Sequence, residues 1–133
     1  MSILKNALRG VGLAVIIVGL AMLLNVVLGW NFTNAVFNLL RGLHLILALA
    51  LVGLYEAAMA RRKGTITIAG RQLGLVGRIV LTLTLLIGIY LLLTHIVDGL
   101  GGYNQIIWVH GLIGLVAYGL TEVVLSNRRL ASR

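Results

Sequence analysis

Residues 44–56 read HLILALALVGLYE, and residues 110–122, sixty-six positions further on, read HGLIGLVAYGLTE. A histidine opens each stretch, a Gly-Leu pair (Gly53-Leu54 and Gly119-Leu120) sits at the same offset, and a glutamate closes it. Phe37-Asn38 and Tyr103-Asn104 extend the register backwards, and a basic cluster follows each copy: Arg61-Arg62-Lys63, then Arg128-Arg129. Apolar matches are cheap in a Leu-rich chain, so the weight rests on the paired His, Gly and Glu. Self-similarity at a fixed spacing predicts two copies of a two-helix unit, about 1–63 and about 70–129, within one domain spanning 1–133.

Composition sets the class of environment. The chain of 133 residues is 60% hydrophobic and 11% charged, with no proline and no cysteine. A soluble domain of this size cannot hide so much apolar surface, so much of it is expected to face lipid. Without cysteine there are no disulfides, thiolate metal sites or thiol chemistry. The formal charge of +8 is divided among short segments between long apolar runs, a pattern of membrane topology and not of nucleic-acid binding.

Four spans are predicted, at about 10–28, 35–60, 73–97 and 104–125. Residues 1–9 form a basic lead, and the run after them is longer than a signal h-region and lacks a small-residue cleavage site. GWNFTN at 29–34 reads as a tight turn, with Thr33 or Asn34 capping the next helix and Trp30 at the interface. GTITIAG at 64–70 is the longest connection, and the glycine-rich 98–102 stops the third span. The expected fold is all-α: a four-span transmembrane up-down helix bundle built from two parallel two-helix repeats, N-in/C-in.

Orientation follows from the basic residues. Lys5, Arg9, Arg61, Arg62, Lys63, Arg71, Arg78, Arg128, Arg129 and Arg133 fall on one side if the spans alternate, and only Arg41 falls toward the other. The positive-inside rule puts both termini and the middle loop in the cytoplasm, with a bacterial or archaeal cytoplasmic membrane as the expected location. Two-helix repeats then share one orientation, related by an axis along the membrane normal.

His44 and His110 both enter from the outer side and lie on the order of 10 Å below it at roughly 1.5 Å per residue. The second and fourth helices of an up-down bundle are diagonal neighbours, on the order of 14 Å apart when adjacent axes are 8–10 Å apart, which leaves room for a flat group between two imidazoles. Neutral imidazole is a good iron ligand, so the pair is a candidate bis-histidine haem site. On the helical repeat His44 shares its face with Phe37, Leu40, Arg41, Leu47, Ala48, Leu51 and Tyr55. His110 shares its face with Tyr103, Ile106, Ile107, Ile113, Gly114, Ala117 and Thr121. Ala48 and Gly114, four residues beyond each histidine, leave space against the backbone, although any tight membrane helix pair uses small residues too. Arg41, one turn outward of His44, is placed to meet a haem propionate. The alternatives are that it snorkels to the interface or pairs with Asp98.

In these features the chain resembles the membrane-embedded b-type cytochromes built on four-helix bundles. The resemblance rests on His44 and His110, supported by Arg41 and Gly114, and covers the four-span core at the level of architecture, without a long family signature. It implies haem b, electron transfer, and exchange with a quinone or a partner redox subunit. Many such cytochromes carry two haems. Here no histidine lies in the inner half, so one site is expected.

A chlorophyll-type pigment on the same histidines, or no cofactor and simple polar packing, stays open at this point, as does a homo-oligomer. The leading rival function is a non-redox or pigment-holding subunit of a larger membrane complex. A transporter or proton channel using Glu56 and Glu122 comes third, since no polar stripe marks a water path. Those glutamates are rotated away from the histidine face and are expected to pair with Arg61, Arg62, Arg128 or Arg129, with a proton-carrying role as the alternative. His95 reads as an interfacial residue or a proton relay, not a ligand. The glycines at 12, 19, 53, 74, 77, 114 and 119 are expected to permit close packing, and no phosphate loop or hydrolase triad is present.

Overall fold

The computed structural model describes the backbone of residues 2–30, 32–61, 68–97 and 103–126. It consists of four α-helices: α1 (Ser2–Leu28), α2 (Asn34–Arg61), α3 (Ile68–Val97) and α4 (Tyr103–Ser126). No strand occurs among the described residues. Each helix is long and apolar enough to cross a membrane. At about 1.5 Å per residue, runs of this length exceed a hydrocarbon core of about 30 Å.

Two boundaries differ from the sequence reading. α1 begins at Ser2, so Lys5 and Arg9 stand on the helix and not in a lead before it, and α3 begins at Ile68, inside the stretch read as loop. Helical hydrogen bonding satisfies the backbone better than an open loop near the bilayer surface, and no proline interrupts it, so the helices run on past their apolar stretches. The remainder of the 64–70 connection, the 98–102 turn and the 127–133 tail lie outside the described residues.

The α1–α2 connection is built from local hydrogen bonds. Gly29 takes the left-handed conformation (φ 65°) that ends α1. Asn25 Oδ1 and the Trp30 carbonyl both accept from the Phe32 N–H, at 3.0 and 2.7 Å. Thr33 Oγ1 accepts from the Val36 N–H at 3.3 Å, so Thr33 and not Asn34 is the cap of α2.

α1 packs chiefly on α2 and α3 on α4, with lesser α2–α3 and α1–α4 interfaces. The cross-helix contacts run antiparallel: Tyr55 and Met59 of α2 meet Gly77 and Gly74 of α3, and Gly12 of α1 meets Tyr118 of α4 just beyond the Arg9–Glu122 pair. The core is narrow and centres on Leu8, Leu51, Tyr55, Ala58, Leu81 and Ala117, with Thr121 and Val124 also buried. Outward-facing apolar side chains cover every helix, including Ile17 (65% exposed), Leu39 (70%) and Leu112 (66%). Water would not tolerate such a coat on a monomer, and lipid tails do.

Candidate functional site

The faces assigned from the helical period meet in the bundle interior. Leu51 and Tyr55 on the His44 face of α2, and Ala117 and Thr121 on the His110 face of α4, are all buried. Thr121 Oγ1 donates to the Ala117 carbonyl at 2.9 Å, so this buried hydroxyl is satisfied within its own helix.

His44 and His110 come together. Their ring centroids are 6.1 Å apart and the ring planes are inclined at 71°. Each ring rests on a glycine of the neighbouring helix. A Cβ built on Gly19 of α1 would lie 2.9 Å from His44 Cε1, and one on Gly88 of α3 would lie 3.0 Å from His110 Cε1. The carbonyls of Val15 and Thr84, one turn earlier on the same helices, are the backbone groups that interact with the two rings. Nδ1 of each histidine is buried and has no hydrogen-bond partner among the described residues. A buried polar nitrogen left unpaired costs about 1–3 kcal/mol, so two of them side by side need a reason.

A metal between the rings would supply one. With metal–nitrogen bonds of about 2.0–2.1 Å and roughly 1.1 Å from nitrogen to ring centre, two imidazoles that shared one metal ion would have centroids no more than about 6.2–6.4 Å apart. The observed 6.1 Å fits that spacing. No group of three or more His, Cys, Asp or Glu side chains occurs among the described residues. Two imidazoles alone are a poor set for a bare ion, and they suit a macrocycle that brings its own equatorial nitrogens.

The supporting residues are placed less uniformly. Arg41 reaches across to α3, donating to the Leu92 carbonyl at 3.5 Å and to Asn38 Oδ1 of its own helix at 3.4 Å. Asp98, its other expected partner, lies outside the described residues. Ala48 stands one turn inward of His44, partly buried. Gly114 faces α3, where an added Cβ would make ordinary contact with Thr84 Cγ2 at 3.6 Å. Gly53 and Gly119, expected to permit close packing, face open space instead. The side chains of His95 and Tyr103 lie outside the described residues.

The glutamates pair differently from the expectation. Glu122 binds Arg9 of α1 through a fork of bonds at 2.8–3.0 Å, and Glu56 binds Arg78 of α3 at 2.5 and 2.6 Å. Arg61 points to solvent, and Arg62, Arg128 and Arg129 lie outside the described residues. The partners stand on facing helices at matching depth, where a guanidinium fork reaches a carboxylate without bending the chain. Sequence reasoning also passed over Gly88, Val15 and Thr84. Their signal is a second spacing: Arg9 and Arg78, Val15 and Thr84, Gly19 and Gly88 are each 69 positions apart, whereas the histidines are 66 apart.

A shallow groove of about 440 Å³ runs between α3 and α4, lined by Leu86, Ile87, Tyr90, Gln105, Ile106 and Val109. Tyr90 and Gln105 are its polar members.

No protein-family model, curated protein or solved structure matches this chain.

Proposed function

We propose that this integral-membrane protein is a b-type cytochrome, holding one haem b between His44 and His110 in the outer half of the bilayer. It carries electrons to or from a quinone or a partner redox subunit and acts as an electron-transfer protein or as a subunit of an oxidoreductase. The observation that carries the reading is the pair of partly buried imidazoles, 6.1 Å apart, each with a buried and unpartnered Nδ1. Haem bound there would supply one-electron exchange.

The chain's own residues serve that group in distinct ways. His44 and His110 would hold the group through their ring nitrogens, and Ala48 and Gly114 would keep the flanking backbone uncrowded. Leu51 and Ala117, buried one turn or two inward, keep water from the inner side. Among the described residues Arg41 is held by two bonds at the long end of the hydrogen-bond range, which its guanidinium can exchange for a propionate. The groove between α3 and α4 gives a quinone head an apolar bed and two polar side chains, Tyr90 and Gln105.

The finer topology is part of the proposal: two parallel two-helix repeats, with both termini cytoplasmic, in a bacterial or archaeal membrane. Supporting the repeat, Arg9–Glu122 joins α1 to α4 while Arg78–Glu56 joins α3 to α2, the same pairing with the hairpins exchanged. Supporting the orientation, Lys5, Arg9, Arg61, Arg71 and Arg78 fall toward the end where α1 begins, and among the described basic residues Arg41 alone falls toward the other.

The test is absorption spectroscopy of the purified full chain. A reducible spectrum with sharp Soret and alpha bands is expected, lost in His44→Ala and in His110→Ala and kept in His95→Ala. A red-shifted magnesium-pigment spectrum would assign the same histidines to pigment. A colourless protein would leave a non-redox membrane subunit.

A further inference from the structure

Each histidine sits in the same two-part setting on the helix beside it. On α1 the parts are the Val15 carbonyl and Gly19, four residues on, and on α3 they are the Thr84 carbonyl and Gly88, again four residues on. In an α-helix the carbonyl of one residue bonds the N–H four positions later, and the side chain at that later position leans back over the preceding turn. Any side chain at 19 or 88 would therefore lie over the carbonyl at 15 or 84. Glycine leaves it bare, and a carbonyl oxygen already bonded within the helix keeps a second lone pair.

We propose that Gly19 and Gly88 are positioning residues that open a backbone carbonyl to each imidazole, fixing which ring nitrogen carries the proton and leaving the lone pair of the other to the space between the rings. The proposal deepens the haem reading of the same pair and rests on it for the identity of the ligand.

The chemistry follows from the neutral ring. Imidazole has one N–H and one lone pair, and whichever nitrogen donates to the carbonyl, the other is left as the acceptor. A ligating histidine whose other nitrogen donates to a carbonyl is held in one tautomer and one orientation, which strengthens it as a ligand. An added methyl would meet each ring at about 3 Å, inside normal contact, with the ring wedged between two helices. Five other glycines, Gly10, Gly42, Gly53, Gly111 and Gly119, would place a Cβ in open space. Gly12, Gly74 and Gly77 also pack closely, against Tyr118, Met59 and Tyr55, so what sets Gly19 and Gly88 apart is that the ring each one meets is a histidine.

The experiment compares Gly19→Ala and Gly88→Ala with Gly53→Ala and Gly119→Ala in the full chain. Haem loss to an acceptor protein is expected to be at least ten-fold faster in the first two, with altered low-spin electron paramagnetic resonance signals, and unchanged in the second two. Equal behaviour of all four overturns the proposal. A readout free of haem is the nitrogen-15 spectrum of the histidine rings in the haem-free chain. Wild type is expected to hold one tautomer at each ring, and Gly19→Ala to mix the tautomers of His44 alone. Averaged tautomers in wild type overturn the proposal whether or not haem binds, whereas fixed tautomers in a chain that takes no haem sink only the haem reading. If Gly19→Ala does not fold, it is repeated with His44→Ala. Recovery of folding there supports action through the ring, and equal damage overturns it.

Discussion

The hydroxyl of Tyr55 on α2 donates to the Gly74 carbonyl of α3 at 2.9 Å and stands 2.5 Å from where a Cβ on Gly77 would lie. Tyr55 is among the most buried side chains, at 1% exposure, so this contact fixes how closely α2 and α3 approach toward the end of the bundle where α1 begins. It joins the two hairpins along an interface with few other contacts, which makes it sensitive to a single methyl.

Gly77→Ala is therefore expected to destabilise the fold by about 1–3 kcal/mol, the usual cost of overpacking. Tyr55→Phe should cost about 0.5–1.5 kcal/mol through loss of the buried hydrogen bond. In the Tyr55→Phe background Gly77→Ala should cost less, because the hydroxyl it would strike is gone. Thermal unfolding of the four proteins in detergent measures the coupling, and additive costs would mean that the two residues do not share the contact.

The ion pairs predict a charge-exchange result. Arg78 and Glu56 are 50% and 41% exposed at the side chain, so their pairing is worth about 0.2–1 kcal/mol, as for solvated pairs. Arg78→Glu should lower the unfolding midpoint, and adding Glu56→Arg should recover most of the loss. The difference should shrink as salt rises, since exposed charges are screened. A loss that salt leaves unchanged would mean that Arg78 contributes through its apolar stem.

Much of this arrangement is legible in the sequence. Four apolar runs of membrane length are visible by eye, and the helical period alone puts Leu51, Tyr55, Ala117 and Thr121 on the histidine faces, where they are buried. What escaped depends on which helix faces which, and at what depth. Glu56 has basic neighbours in sequence at Arg61 and Arg62, yet its partner stands on the facing helix at Arg78. Gly88 escaped because α1 and α3 correspond at a spacing of 69 while α2 and α4 correspond at 66, and a Leu-rich chain offers too few distinctive residues to reveal two registers at once. Helix ends escaped because hydrophobicity marks where the lipid stops, and hydrogen bonding carries the helix further.

The Thr33 cap gives a local prediction. Its Oγ1 accepts the Val36 N–H at 3.3 Å on the exposed start of α2, and removing it in Thr33→Ala should cost about 0.5–2 kcal/mol. Thr33→Ser keeps the oxygen and should restore most of it. Hydrogen exchange in the first turn of α2 reads the effect, and equal protection in Ala and Ser variants would show the cap to be idle.

The histidine pair makes the sharpest prediction because stability and function pull in opposite directions there. In the haem-free chain His44 and His110 each bury a nitrogen with no partner, and each such group costs about 1–3 kcal/mol. Replacing both rings by apolar side chains of similar volume removes that cost, since an unpaired buried polar group loses to a hydrocarbon in its place. His44→Leu combined with His110→Leu should therefore make the haem-free protein more stable than haem-free wild type, by about 1–3 kcal/mol in total once some repacking loss is subtracted. The same variant should take up no haem. Added haem should raise the unfolding midpoint of wild type by mass action and leave the variant unmoved. Thermal unfolding of both proteins, with and without added haem, gives all four values. A double-leucine chain less stable than haem-free wild type would mean that the two imidazoles are already satisfied by the bundle, and the strongest reason for a metal between them would be gone.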